Sequence, residues 1–291
     1  MGSLVQKIIG SDKNVIQKLL TTESEWNPKV ALTRAIVSIL PDNWLFAVKK
    51  FYYPLLMRYA GDTGENDVLI VDHLVSPGDH VLDVGASIGG YTKHLSDLVG
   101  PSGCVYSFEP LPPTFDLLSL CVKRVGLRNV KLFNYAISDA EGFADMVVPL
   151  YRWGTECYYD ARIAPGSEGG SSLRRFRVAS RTIDSFFANG GPKISFIKCD
   201  VNYHELQFVK GALNTIRHCK PAMLVEVGTN PDESVAWKVL AVLSEDDYEA
   251  YYFDGATLRR RIAGERTQNW FLLCPPHLAL LQDRCPHLVA I

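Results

Sequence analysis

Apolar residues along this chain follow two different periods, and the change falls near residue 68. Before it, Leu4, Ile8 and Ile9, then Val15, Ile16, Leu19 and Leu20, then Leu32, Ile36, Val37 and Leu40 recur at three-to-four spacing, which predicts amphipathic helices. Within 43–60 bulky residues crowd together: Trp44, Phe46, Phe51, Tyr52, Tyr53, Leu55, Leu56 and Met57. Two readings of that stretch stand. It is a helical layer packed on the next domain, or else a lid over an acceptor site or a surface that touches a lipid-linked substrate.

Beyond residue 68, short continuous apolar runs alternate with amphipathic stretches. The runs predict strands at 79–84, 103–108, 130–135, 194–200, 222–228, 248–253 and 269–274, with helices near 89–99, 112–125, 204–218 and 232–243. Such alternation implies a parallel sheet covered by helices on both faces. The last two strands flank a short turn-rich stretch around Asp254-Gly255 and are expected to pair antiparallel. Residues 142–183 interrupt the alternation as a hairpin excursion with a Gly/Ser-rich tip from Pro165 to Ser172. The chain thus divides into a helical extension, 1–67, and one α/β domain, 68–291, without internal repeats.

Composition narrows the class. The chain has 291 residues, 47% apolar and 21% charged, enough apolar material for a large core. With 30 Lys+Arg against 32 Asp+Glu, the net charge of −2 argues against broad nucleic-acid binding. The seven cysteines form no C-x-x-C pair and read as reduced core thiols. The start, Met1 to Gln6, has neither a signal-peptide pattern nor the Ser or Thr at position 6 that myristoylation needs. The most apolar segment, 35–60, is broken by Pro41, Asp42, Lys49, Lys50, Pro54 and Arg58, short of a membrane span. A cytoplasmic location is expected, with peripheral membrane contact open through 43–60.

The candidate chemistry begins where the strand Val81-Leu82-Asp83-Val84 runs into Gly85-Ala86-Ser87-Ile88-Gly89-Gly90 and a helix follows. A glycine turn there lets backbone approach a ligand. Glu109 ends the next strand, where a carboxylate can accept both hydroxyls of a ribose. An acid at Asp83, two residues before the first glycine, would repel a pyrophosphate but suits an amino group and a sulfonium. That combination points to S-adenosylmethionine rather than a dinucleotide, and the lack of Gly-Lys-Ser/Thr excludes a P-loop. A third patch, Phe196 to Leu206, ends a buried strand in polar residues. With strands ordered 3-2-1-4-5, the first and fourth are neighbours at the topological switch point, so Asp200, His204 and Glu205 are expected to face the methyl-donor end, with Glu226 one strand further on.

These motifs resemble the FkbM family of S-adenosylmethionine-dependent methyltransferases. The resemblance rests on Asp83-Val84-Gly85-Ala86-Ser87-Ile88-Gly89-Gly90-Tyr91-Thr92, Phe108-Glu109-Pro110, Ala136-Ile137-Ser138-Asp139 with Gly142, Ile197-Lys198-Cys199-Asp200-Val201 through Glu205, and Lys210-Gly211-Ala212. It covers about residues 68–275 and departs at Asn202-Tyr203, where the family has Glu-Gly, and at Ser87, where it has Asn. It implies a Rossmann-like class I fold with a seven-stranded, mostly parallel sheet ordered 3-2-1-4-5-7-6, and O-methylation of a sugar or polyketide-type hydroxyl. It also implies that Asp83, Gly85 and Gly89 line the methionine end, that Glu109 holds the ribose and that Ile137 and Asp139 sit near the adenine, with Ala86, Ser87, Tyr91, Pro110, Ala136 and Asp200 completing the cofactor-binding set.

An alcohol acceptor must lose a proton, and His204 is the first candidate base, oriented by Asp200 or Glu205. A divalent metal between Asp200 and Glu226, lowering the pKa of two sugar hydroxyls, is a second route. Arg174, Arg175, Arg177 and Arg181, with Arg259 to Arg261, form either an anion site or a solvated face. Tyr151, Trp153, Tyr158 and Tyr159 suit sugar stacking or ordinary packing. An RNA or protein methyltransferase and a non-catalytic cofactor-binding protein remain the competing readings.

Overall fold

The computed structural model describes residues 42–60, 65–150, 158–164, 173–188, 190–227, 234–262 and 267–290. The helices expected before residue 42, the excursion tip 165–172, Tyr151 and Trp153 lie outside them.

The chain enters through helix α1 (Asp42–Ala60) and a short helix α2 (Val68–Leu74). It then alternates β1 (His80–Val84), α3 (Gly90–Val99), β2 (Cys104–Phe108), α4 (Pro112–Val125) and β3 (Val130–Phe133). Proline at the start of α4 fixes its first turn, and Gly126 ends it in the left-handed conformation at φ 85°. The excursion follows as β4 (Ala136–Ile137), β5 (Gly142–Pro149), a 3₁₀ turn (Tyr158–Asp160), β6 (Arg162–Ile163) and β7 (Leu173–Arg181). After α5 (Ile183–Phe186) come β8 (Ile194–Cys199), α6 (Glu205–Gly211), α7 (Leu213–Cys219) and β9 (Ala222–Glu226). The chain closes with α8 (Ser234–Ser244), β10 (Glu249–Phe253), β11 (Leu258–Arg260), β12 (Asn269–Leu273) and α9 (Pro275–Arg284).

The main sheet runs β3-β2-β1-β8-β9-β12-β10, the order expected for a class I methyltransferase fold, with β11 as an added eighth strand at the edge. Five strands are parallel, while β12 lies antiparallel between β9 and β10. The expected antiparallel pairing of the last two long strands is present, Glu249 opposite Leu273. The turn at Asp254-Gly255, however, leads into β11 rather than into that partner. Helix α2 and strand β11 were not expected from the sequence, and the single helix expected at 204–218 is two, separated at Ala212.

Continuous apolar strands bury both faces, as parallel strands must. On one face Leu82, Val84, Ile197, Met223 and Val225 pack under α5 to α8 through residues such as Phe208, Ile216 and Val239. On the other, Val81, Val105, Phe196, Leu224 and Phe271 pack under α2, α3 and α9 through Ile70, Leu95 and Leu281. The excursion is a separate four-stranded sheet, β4-β7-β5-β6, whose long hairpin pairs Gly142 with Ser180 through to Pro149 with Leu173. It carries its own small core around Leu111, Met146, Val148 and Val178. Helix α1 lies along α4, where Arg124 Nη1 donates to the Lys50 carbonyl at 3.3 Å. No helix among the described residues is long and apolar enough to cross a membrane.

Candidate active site

A cleft of about 90 Å³ opens at the carboxyl ends of β1, β2 and β8. Its walls come from the loop after β1 (Gly85, Ser87), the chain after β2 (Glu109, Pro110, Leu111), the chain before and within β4 (Tyr135, Ala136, Ile137), the excursion turn (Tyr158, Tyr159) and the loop after β8 (Asp200, Asn202, His204). This is the topological switch point, where the parallel strands' connections leave in opposite directions and a crevice is left open.

Two interlocked loops build the floor. Gly85 and Ala86 both donate their N–H to the Phe108 carbonyl, at 3.0 and 2.9 Å, and Asp200 N–H donates to the Val84 carbonyl at 2.9 Å. A Cβ on Gly85 would stand 1.8 Å from the Asp200 carbonyl oxygen, and Gly85 has φ 81°, so only glycine fits. Glu109 is 6% exposed. Its Oε2 accepts from Ser87 N–H at 2.9 Å and its Oε1 from Leu111 N–H at 3.0 Å. Burial pushes its pKa up to about 7, against the pull of those two bonds. Each oxygen keeps a second lone pair, so a vicinal diol presented from the cleft could still be gripped by both. Asn134, which the motifs did not single out, braces this acid by donating to the Glu109 and Pro110 carbonyls at 2.8 and 2.9 Å.

Of the residues expected around a cofactor, Gly85, Ser87, Glu109, Pro110, Ala136, Ile137 and Asp200 line the cleft. Asp83, Ala86, Gly89, Tyr91 and Asp139 do not, and each has a physical reason. Asp83 is 1% exposed and accepts from Thr92 Oγ1 at 2.6 Å, with Thr92 against Ser107 at 3.0 Å, so its carboxylate ties α3 to β1 and β2 beneath the loop. Burial raises its pKa to about 6. Ala86 packs inward on Leu118 and Val122. Gly89 has φ 92° and a Cβ there would collide with Met57 and Leu118 at 2.6 and 2.7 Å, so that glycine makes room for helix packing. Tyr91 points its hydroxyl at Glu65 Oε2, 2.7 Å away. Asp139 is exposed.

His204 lines the cleft, but its partner differs from expectation. Neither Asp200 nor Glu205 orients it; its Nε2 lies 2.8 Å from Ser138 Oγ, which in turn donates to Asp139 Oδ1 at 3.2 Å. In the tautomer whose serine proton goes to Asp139, the serine oxygen accepts from Nε2–H and Nδ1 is the basic nitrogen. Burial lowers the His204 pKa and the Asp139 charge partly offsets this, so the ring is neutral at pH 7. Gly211 makes the contact possible: a Cβ there would sit 1.9 Å from the Ser138 carbonyl oxygen. Glu205 is 1% exposed, accepts from Tyr203 N–H at 3.1 Å and has its pKa raised to about 7 by burial, so it braces its own loop.

Asp200 and Glu226 are brought together and hydrogen-bond each other, and burial followed by the Asp200 charge lifts the Glu226 pKa to about 8. The buried Lys198 ammonium stands beside them, 3.5 Å from Asp200 Oδ2 and 5.0 Å from the centre of the Tyr91 ring. Burial pulls its pKa down, but Asp200, Glu65, Glu226 and Asp83 more than offset this and hold it charged. The pair therefore comes with an internal cation. Among the described residues no group of three or more His, Cys, Asp or Glu is arranged to hold a metal. The two arginine runs belong to different sheets: Arg177 and Arg181 lie over Phe143 and Tyr135, while Arg259 and Arg260 pair with Asp254 and Glu249.

Comparison with known proteins gives the site its class. The chain is 34% identical over 59 residues to protein-L-isoaspartate O-methyltransferase of Methanocella arvoryzae, a match covering 20% of this chain and 31% of that protein. It is 28% identical over 181 residues to the hexuronic acid methyltransferase AglP of Haloferax volcanii, covering 61% of this chain and 68% of that protein. The crystal structure of methyltransferase FkbM from Methylobacillus flagellatus KT aligns with a TM-score of 0.44 at 16% identity, over 83% of this chain and 59% of that one. Residues 83–253, more than half of the chain, match the methyltransferase FkbM domain, from the Asp83 that anchors the glycine loop to the last residue of β10. The chain belongs to the FkbM family of S-adenosylmethionine-dependent methyltransferases.

Proposed function

We propose that this chain methylates a hydroxyl group of a sugar or glycan. The observation that carries the reading is the Glu109 carboxylate, pinned by two backbone N–H groups at the edge of a cleft whose floor admits only glycine at position 85. That carboxylate would accept from the ribose hydroxyls of S-adenosylmethionine, with Ala136 and Ile137 of the same cleft meeting the adenine and Gly85 and Asp200 the methionine end. When bound, the cofactor supplies a methyl group activated for in-line displacement by an oxygen. The acceptor class is supported by the likeness to a hexuronic acid methyltransferase over 68% of that protein.

The chain's own work is positioning and proton removal. His204, neutral and held through Ser138 and Asp139, takes the acceptor's proton on Nδ1, and the Asp139 charge stabilises the imidazolium that forms. A positioned base of this kind supplies about 10²–10⁴-fold in rate. Asp200 and the Lys198 ammonium set the polarity of the cleft on the β8 side.

Transfer of radiolabelled methyl groups to a panel of hexose and hexuronic acid glycosides, RNA and protein tests the reading. Alkali-stable label in a saccharide, reduced 10²–10⁴-fold in His204→Ala and Ser138→Ala, is the expected result. Alkali-labile label marks a carboxyl acceptor and defeats the hydroxyl reading; label confined to RNA or protein defeats the sugar reading.

A further inference from the structure

Helix α1 precedes the matched family domain, which begins at Asp83, yet it reaches the cleft wall. Among the described residues none of α1 belongs to the two cores packed on the main sheet. Its contacts go elsewhere. Lys49, Tyr53 and Met57 stand four residues apart and so share one stripe of the helix. Lys49 Nζ lies 5.8 Å from the centre of the Tyr158 ring. Tyr53 makes a side-chain hydrogen bond with Tyr159. Met57 Cε fills the space that a Cβ on Gly89 would need, 2.6 Å away. One stripe therefore touches the excursion turn at two successive residues and the glycine loop at a third. Phe51 and Leu55, on the other side of the helix, are exposed.

The excursion turn needs such support. It is a three-residue 3₁₀ turn that leads into a two-residue strand, so few backbone hydrogen bonds fix its place. Tyr158 and Tyr159 both line the cleft, in company with Glu109, Ala136 and Ile137. Tyr159 is held at two ends. Its carbonyl accepts from Asn202 Nδ2 at 2.9 Å, and its side chain is bonded to Tyr53. The residue thus bridges the loop after β8 and α1, and its place in the wall depends on both.

We infer that Tyr53 is a positioning residue for cofactor binding, which acts through Tyr159 to fix the excursion side of the cleft. The inference rests on this cleft being the S-adenosylmethionine site, and it adds to that site a helix from outside the matched domain.

Calorimetric titration of S-adenosylmethionine into wild type, Tyr53→Phe, Tyr159→Phe, the double variant and Phe51→Ala provides the test. Each tyrosine variant should bind about 3–10-fold more weakly, and the double variant no more weakly than either, because all three lose the same bond. Phe51→Ala should bind within about twofold of wild type. In methyl transfer to a glycoside, the cofactor KM of Tyr53→Phe should rise in step with its Kd while kcat stays within about twofold. Unchanged cofactor affinity in Tyr53→Phe overturns the inference and leaves the cofactor site standing. Losses that add in the double variant overturn it too, because Tyr53 then acts otherwise than through Tyr159. Equal weakening in Phe51→Ala assigns the effect to the helix as a whole and also overturns it. A wild-type protein that binds no S-adenosylmethionine overturns both this inference and the assignment of the cleft.

Discussion

The loops after β1 and β8 do the same topological job with different materials. Each carries the chain from the end of a parallel strand toward a helix, and each passes through the left-handed region more than once. The first uses glycine at the two tightest points, Gly85 and Gly89, because other parts of the chain occupy the space a side chain would need. The second uses Asn202, whose amide clasps the excursion turn, and Tyr203, which is exposed. Glycine appears where the chain leaves no room for a Cβ, and a side chain in the left-handed region appears where there is room for one, at Ser87 (φ 50°) as well as at Asn202 and Tyr203. On the proposed function, the β1 side of the cleft would be a fixed frame for the cofactor and the β8 side would meet the acceptor.

The sharpest break in that comparison is Gly85→Ala. The added methyl meets a backbone carbonyl at 1.8 Å and cannot be accommodated by rotating a side chain. Strands β1 and β8 would have to separate, at a cost of about 4 kcal/mol or more. Gly126→Ala provides the control. Gly126 also has a positive φ, 85°, in the ordinary left-handed region, but nothing lies within 4 Å of its would-be Cβ, so about 1–2 kcal/mol is expected. Urea unfolding of both variants measures the gap; equal losses would show that backbone conformation, not chain contact, fixes the first loop.

A second prediction separates the frame from its ligand. The Glu109 pKa of about 7 reflects burial without a cofactor, and hydroxyl donors from a ribose would favour the ionised form. Cofactor affinity should therefore be full above pH 7 and fall by up to about tenfold per pH unit below it. Glu109→Gln should bind about 10–100-fold more weakly at pH 8 and lose the slope. The sign for stability is the reverse. Because burial raises this pKa from 4.5, the group's contribution to the free protein's stability is fullest below pH 4.5 and is lost as pH rises through about 7. Calorimetry between pH 5.5 and 8.5 reads the binding arm, and a flat wild-type profile would remove Glu109 from the ribose site.

The legibility of this chain divides along the same line. The strands were readable because buried parallel strands are unbroken apolar runs, and the excursion because it broke the alternation. Helix α2 was hidden because Val68–Leu74 is as short and apolar as a buried strand, and β11 because Leu258–Arg260 is a charged edge. Within the site, the motifs located the right loops but could not say which way each side chain turns. Gly85 and Gly89 look alike in sequence, yet one faces the cleft and the other makes room for α1 and α4. Asp83 looked like a ligand-binding acid, but the hydroxyl of Thr92, nine residues on, claims it. The histidine's true partner, Ser138, is 66 residues away and becomes visible only when Gly211 brings α6 against β4.

The smallest expected effect is also the most informative about how the two sides are joined. Asn202 is the hinge of the comparison: its backbone belongs to the β8 loop, while its amide holds the excursion turn through two carbonyls. Asn202→Ala removes both bonds and leaves two carbonyl oxygens to find water, at a cost of about 1–2 kcal/mol. Much of that should be local, because the excursion has its own core around Met146, Val148 and Val178 and does not depend on the clasp to fold. Hydrogen exchange should therefore show faster exchange in the segment around Tyr158–Ala161, with β1 and β2 protected as before. If the exchange rates rise equally in β1, the clasp supports the frame itself, and the division between a fixed cofactor side and an acceptor side fails.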